Sequence, residues 1–250
     1  MSHFKRFLVT VFVLMTVAVC GQNAATPAAH GPVVIELFTA EGCSSCPPAD
    51  RALAQLQTQH TADGAELILL GEHVDYWNQL GWTDRFSTHS LTERQEQYSR
   101  ALNSPSVYTP ELIVDGHIEI NGGAELKKAI ADSAAHPKPA HVSLNWTGTA
   151  QLQISVEQGA PNSTVFFFIT EDNLTTAVKA GENGGTTLHH AAVVRDMRNL
   201  GEVKKGSFHD TVTVAWNPEW QRKQLHFLAI VQQQHGAGEI VGAAAVRAPE

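Results

Sequence analysis

The sequence predicts an α/β domain followed by an all-β, sandwich-like domain. Three observations predict this. Apolar runs alternate with helical patterns up to about residue 136, His136-Pro137-Lys138-Pro139 then reads as a linker, and short alternating runs separated by turns follow it. The first domain is expected over residues 31–136 and the second over 140–248, preceded by a secretory signal over 1–24.

The signal rests on Lys5 and Arg6 ahead of fourteen uncharged residues, 7–20, too short a stretch to span a membrane comfortably. Small-residue cleavage options follow at Gly21 or around Ala24 and Ala25. Val19 before Cys20 is not the small residue of a lipoprotein signal, so lipidation is the lesser reading. Among 250 residues, 17 basic side chains face 25 acidic ones, and removing the signal takes two of the basic ones and no acid. A nucleic-acid binder needs the opposite sign. The expected protein is acidic, exported to the periplasm or outside the cell, and without a membrane span in its mature form.

Along the first domain, residues 33–38 are apolar except for Glu36 and read as a buried strand. Thr39-Ala40-Glu41-Gly42 turns into Cys43-Ser44-Ser45-Cys46-Pro47-Pro48. Ala52, Leu53 and Leu56 then lie at helical spacing in a helix expected over 49–60. Residues 66–71 form a second strand, parallel to the first because a crossover helix joins them. Residues 83–102, with Phe86, Leu91, Tyr98 and Leu102, predict one long or two short helices. Residues 112–114 and 118–120 flank an Asp115-Gly116 turn, a strong hairpin signal. Gly122-Gly123 and a helix over 124–133 close the unit. This is the order of a thioredoxin-like domain, with the cysteine pair after the first strand. Thr109-Pro110, before the third strand, occupies the place of that fold's cis-proline, an isomer that costs only about 0.5–1 kcal/mol at such a bond. Beyond the linker, strands are expected near 142–146, 152–156, 165–169, 189–194, 211–216, 225–231 and 240–246, a pattern that suggests a β-sandwich.

Once the signal is removed, Cys43 and Cys46 are the remaining cysteines. A disulfide between them closes almost no loop, so stability is a poor reason for it. Cys-x-x-Cys suits thiol–disulfide exchange, in which Cys43 attacks and Cys46 resolves. It also suits metal ligation, although zinc usually takes a second pair or two histidines. Exchange with exported protein thiols or a redox partner protein is the preferred reading. Thr109 and Pro110 would line the substrate strand, and Trp77 would belong to an aromatic cluster with Tyr76 and Trp82, lining a peptide groove or packing in the core. No organic cofactor is called for. One alternative is a copper or zinc module that adds His73, Asp75 or His89 to the thiolates. The other is a non-catalytic interaction protein with a structural cysteine pair.

The stretch from Ile35 to Asp50, with Cys43-Ser44-Ser45-Cys46-Pro47-Pro48-Ala49-Asp50 at its end, is similar to the signature of a family of secreted bacterial proteins of unassigned function with a thioredoxin-like domain. His73-Val74-Asp75-Tyr76-Trp77, Leu80-Gly81-Trp82, Arg94-Gln95, Tyr98, Val107-Tyr108-Thr109-Pro110, His190, Val193-Val194-Arg195 and Val231-Gln232 extend the resemblance over nearly the whole mature chain. What it implies is the fold, not a substrate.

Two departures from thioredoxins matter. Leu37 stands where those proteins carry a buried Asp, and Glu36 points to the opposite strand face. Glu41 is near enough to take a proton through water, although a solvated loop acid is the plainer expectation. Pro47-Pro48 disfavours helical angles at Cys46 and Pro47, so the helix is expected to begin a turn later, with Asp50 in its first turn and both cysteines on a loop. An intermediate redox potential follows.

Elsewhere, His189 and His190 face opposite sides of a strand, one of them buried. Arg195-Asp196-Met197-Arg198 reads as a solvated turn. Glu182-Asn183-Gly184-Gly185 lacks the Lys and helix of a phosphate loop. Asn145, Asn162 and Asn173 head Asn-x-Thr triplets that matter only in a glycosylating host.

Overall fold

Strand β1 (Val33–Thr39) is buried at every residue because both faces of its sheet are covered. This computed structural model describes Met1 and residues 31–57, 59, 64–120 and 123–249. The remainder of the expected signal, with its cleavage options and Cys20, lies outside the described residues. After β1 come α1 (Pro47–Leu56), β2 (Leu67–His73), α2 (His89–Ala101), β3 (Glu111–Val114), β4 (Ile118–Ile120) and α3 (Gly123–Ala134), the order anticipated for this half. β2 runs parallel to β1, and β3 runs antiparallel on its other side with β4 beyond it. Val33, Ile35 and Leu37 pack against Leu53 of α1 and Leu126 and Ile130 of α3, while Val34 and, on β2, Ile68 and Leu70 pack with Leu91 of α2. The period of two along each strand sorts these side chains between the faces.

The helix predictions need two corrections. α1 starts at Pro47 rather than a turn later: Cys46 is its N-cap at φ −75°, ψ −37°, and the prolines take the first two helical positions. The N–H groups they lack have no partner inside a helix at those positions, so nothing is lost there. Of residues 83–102, the α-helical stretch is α2; the segment before it is loop, pinned by Asp84.

The second half contains β5 (His141–Trp146), β6 (Gln151–Glu157), β7 (Thr164–Glu171), β8 (Leu174–Ala177), β9 (Thr187–His190), β10 (Val193–Glu202), β11 (Ser207–Thr213), β12 (Leu225–Gln232) and β13 (Ile240–Arg247). The strand expected over 189–194 is two strands, broken where Ala192 takes φ +51°. Arg195 to Arg198 are not a turn but part of β10, paired with β7 across a register shift.

One eight-stranded mixed sheet, in the order β13-β12-β7-β10-β2-β1-β3-β4, runs through both halves. The junction is narrow: β10 meets β2 at Val193 opposite Gly71, and the Gly71 N–H donates to the Ala192 carbonyl. A Cβ on Gly71 would sit 2.8 Å from the Ala191 carbonyl oxygen, so glycine is required for the two backbones to approach this closely. β5, β6 and β11 form a separate three-stranded sheet, and β8 and β9 a two-stranded one. The three-stranded sheet packs Leu144, Leu152, Ile154, Val156 and Val212 onto Val165, Phe167 and Ile169 of β7 and Phe227, Ala229 and Val231 of β12. The intervening β7 residues, Phe166 and Phe168, point the other way and join the cluster under α2. The fold is therefore mixed α/β, with a large mixed sheet and two smaller ones.

Candidate functional site

Cys43 and Cys46 are joined by a disulfide at the turn that leads from β1 into α1. The Cys46 N–H donates to the Cys43 carbonyl at 3.2 Å, and the Cys46 carbonyl accepts from Ala49 and Asp50. Cys46 therefore caps the helix, while Cys43 lies outside it. Both cysteines are 0% exposed, whereas Ser44 and Ser45 between them reach solvent. The sulfurs pack in a cluster with Phe38, Val74, Tyr98 and Ile113, with Tyr76 and Trp77 against it.

The residues expected to line a substrate strand sit beside this turn. The Thr109–Pro110 peptide bond is cis. The Trp77 indole N–H donates to the Thr109 hydroxyl at 2.8 Å, and the Ser45 hydroxyl lies 3.5 Å from the Thr109 carbonyl oxygen and 3.3 Å from the Cys43 sulfur. A Cβ on Gly42 would meet Trp77 at 3.5 Å, so the indole also flanks the turn. Tyr76, Trp77 and Trp82 are all half-buried with the polar end hydrogen-bonded, and Tyr76 and Trp77 pack against the cysteine cluster.

Glu41 is not a solvated loop acid. It is 0% exposed, its carboxylate accepts from the Trp82 indole at 2.7 Å, and its other oxygen lies 3.5 Å from Nε2 of His190. The reason is a layer of polar groups under the turn. Asp84 accepts from the Glu41 and Phe86 amides and sits 2.6 Å from Nδ1 of His73, whose ring crosses that of His190 edge-on with centroids 4.8 Å apart. Burial opposes a charge on His73, but Asp84, helped by Asp50 and Glu41, outweighs it and holds the imidazole above its usual value. Burial also works against the Asp84 charge; His73 and the two amides overcome it and hold that carboxyl below its ordinary range. Asp50, in the first turn of α1, is pushed above its ordinary value by burial despite His73 and His190. Neither ring nitrogen of His190 has a hydrogen-bond partner among the described residues.

This arrangement gives the metal reading no convergent set of donors. His73 is turned to Asp84, and the His89 side chain is 72% exposed and faces Asp75 at 3.3 Å. Among the described residues, no three His, Cys, Asp or Glu side chains are disposed to hold a metal ion.

Other residues that carried the sequence resemblance form a second buried cluster. Arg94 donates from Nε to Glu36 at 2.7 Å and from both terminal nitrogens to Gln232 at 3.3 Å. The Tyr98 hydroxyl donates to Glu36 and accepts from Gln232 at 2.7 Å. Glu72, beside them, is pushed well above its ordinary range by burial and by the Glu36 charge. Gln95 donates to the Tyr108 carbonyl and to Glu111, whose pKa burial raises to about 7.

The contribution of the second half of the chain to the cysteine turn was missed at the level of sequence. The loop between β8 and β9 lies on the turn: the Asn183 side-chain amide donates to the Glu41 and Cys43 carbonyls, each at 2.9 Å, and Glu182 accepts from the Ser44 N–H at 3.0 Å. These bonds from Ser44 hold the Glu182 carboxyl below its ordinary range. The Glu-Asn-Gly-Gly stretch reads only as lacking the features of a phosphate loop, and nothing local marks what it would touch.

Comparison with known proteins matches sequence from both halves of the chain. Residues 34–232 match a family described as protein of unknown function, DUF1223, and the chain belongs to that family. A crystal structure of protein AGR_C_4864 from Agrobacterium tumefaciens superposes with a TM-score of 0.70 at 28% identity, covering 88% of this chain and 96% of that one. HBP35 of Porphyromonas gingivalis superposes with a TM-score of 0.60 at 18% identity, covering 87% of this chain and 75% of that one, a likeness of fold alone. No curated protein matches the chain.

Proposed function

We propose that this member of the family is an exported thiol–disulfide oxidoreductase whose first half is thioredoxin-like and which acts on exported protein thiols, or on a redox partner protein, through Cys43 and Cys46. The observation that carries the reading is a disulfide of minimal loop, set at the start of α1 beside Thr109 and Pro110. A cross-link that closes so short a loop removes little unfolded-state entropy, so its chemistry is the better reason for its presence.

As an oxidant, the pair takes two electrons from a client. A client thiolate attacks the Cys43 sulfur, the Cys43–Cys46 bond breaks, and Cys46 leaves as a thiolate that takes up a proton. A second client thiolate attacks the mixed disulfide and expels the Cys43 thiolate, which is protonated in turn. Two client thiols become one disulfide, and their two electrons and two protons end on Cys43 and Cys46. In reverse, the Cys43 thiolate attacks a client disulfide and Cys46 resolves the mixed species. The helix N-terminus next to Cys46 and the polar layer under the turn support the thiolate and supply proton acceptors.

Cys46→Ser removes the resolving sulfur, and the variant is expected to accumulate mixed disulfides through Cys43 when incubated with oxidised client proteins. Redox titration of the mature protein in glutathione buffers is expected to give a potential between about −120 and −270 mV, the range of exchange enzymes. A second reading, a non-catalytic interaction protein with a structural cysteine pair, is favoured by the complete burial of both cysteines. A potential below about −300 mV without trapped species would select it.

A further inference from the structure

A disulfide that trades electrons must be reached in line with its S–S bond, yet neither cysteine exposes any surface. The segment 178–186 between β8 and β9 lies on the backbone of the turn that holds them. Its own bonds are local: the Gly184 N–H reaches the Gly181 carbonyl, Thr186 reaches Asn183, and Val178 and Thr186 close the base. Gly181 and Gly185 take φ of +72° and +85°, and Lys179 to Glu182 and Gly184 to Thr186 are exposed. Two side chains tie this segment to the turn. Asn183, 7% exposed, gives both of its bonds to the carbonyls of Glu41 and Cys43, and Glu182 accepts from Ser44 while remaining in solvent.

The two ties reproduce what an extended polypeptide backbone offers. The Asn183 amide supplies N–H donors to the turn's carbonyls as a peptide group would, and Glu182 supplies the acceptor that a peptide carbonyl would present to Ser44. We infer that residues 178–186 are a gate over the cysteine pair, latched by Asn183 and Glu182. The protein thiols it admits lie in extended segments, whose backbones replace those two side chains on the turn. This rests on the oxidoreductase reading for its meaning, but not for its test. Asn183 acts through the turn and is a positioning residue.

The test is the rate at which dithiothreitol reduces the disulfide of the folded protein, the reagent closing to its own cyclic disulfide as Cys43 and Cys46 gain two electrons and two protons. Loss of two nearly buried hydrogen bonds in Asn183→Ala is expected to raise the rate roughly tenfold, while unfolding stability in urea falls by about the 1.4 kcal/mol to which a tenfold change corresponds, leaving the oxidised protein folded. Glu182→Ala, at an exposed side chain, keeps the fold whatever Asn183→Ala does and is expected to raise the rate roughly two- to fivefold. Folded variants that react no faster than the parent would overturn the gate.

A second arm compares two thiols on the parent protein at equal thiolate concentration: an unstructured cysteine peptide of about ten residues and glutathione. The peptide is expected to react faster, and equal rates would overturn the extended-segment assignment. The failure of the oxidoreductase reading looks different: a potential below the exchange range with no trapped client, whatever the variants do to the rate.

Discussion

Two buried polar clusters tie the first half of this chain to the second, and they are built differently. Around Arg94 the guanidinium, the Glu36 carboxylate, the Tyr98 hydroxyl and the Gln232 amide bond to one another in a closed ring, with Phe166 and Phe168 beside the cation. At its edge, Glu72 lies 3.5 Å from the Arg94 Nε, but neither of its oxygens makes a hydrogen bond among the described residues, and burial and the Glu36 charge push its pKa well above the ordinary range. Around Glu41 the bonds are incomplete: both ring nitrogens of His190 and one oxygen of Glu41 find no hydrogen bond among the described residues. Buried polar atoms left in this way cost stability, about 1–3 kcal/mol each. The closed ring at the centre of the first cluster behaves as a bolt, with Glu72 unpaired only at its edge. The second gives up stability beside the cysteines, and a site that must exchange protons and open is where such a cost has a use.

The contrast can be broken most directly at the bolt. Arg94→Ala leaves Glu36 buried without its cation and is expected to lower unfolding stability by about 3–5 kcal/mol in urea titration; a loss under about 1 kcal/mol would remove the distinction between the clusters.

Next in size is a pH effect at the edge of the bolt. Glu111 has a folded pKa of about 7, above the ordinary value of 4.5, so the folded state binds its proton more tightly than the unfolded chain. Stability from this group is present below pH 4.5 and drains away as pH rises to about 7, at up to about 1.4 kcal/mol per pH unit. Glu111→Gln should flatten the fall of stability across that window, and parallel curves for the two proteins would show that Glu111 titrates normally.

The smallest effect is expected in the second cluster. His190→Leu removes a ring that makes no hydrogen bond among the described residues, though it packs edge-on against His73 and Phe86, and should change stability by about 1 kcal/mol or less in either direction. A loss comparable to that of Arg94→Ala would make His190 part of a bolt as well.

The sequence made the elements around the cysteines legible for local reasons. The run of β1, apolar but for Glu36, the Asp115-Gly116 turn and the Cys-x-x-Cys spacing each declare themselves within a few residues. Other features were misread because local chemistry points both ways. Proline argues against helix in general, but not in the first turn, where Pro47 and Pro48 stand. Glu41 reads as solvated in a loop until Trp82 and His190, from distant segments, close over it. The ties of Asn183 and Glu182 to the turn, and the meeting of Val193 with Gly71, depend on contacts between residues more than a hundred positions apart, which no local period records.

The narrow junction at Gly71 also bears on the order in which the chain takes shape. While it is being made, everything up to β4 is available before β10 exists, so β2 waits with its outer edge bare. Such an edge is open to pairing with strands of other chains. Closing it requires a contact that spans about half the sequence, and contacts of that range slow folding. The halves therefore reach their final form together, and a chain cut short at the Pro-rich linker would keep a sticky edge where its own β10 belongs.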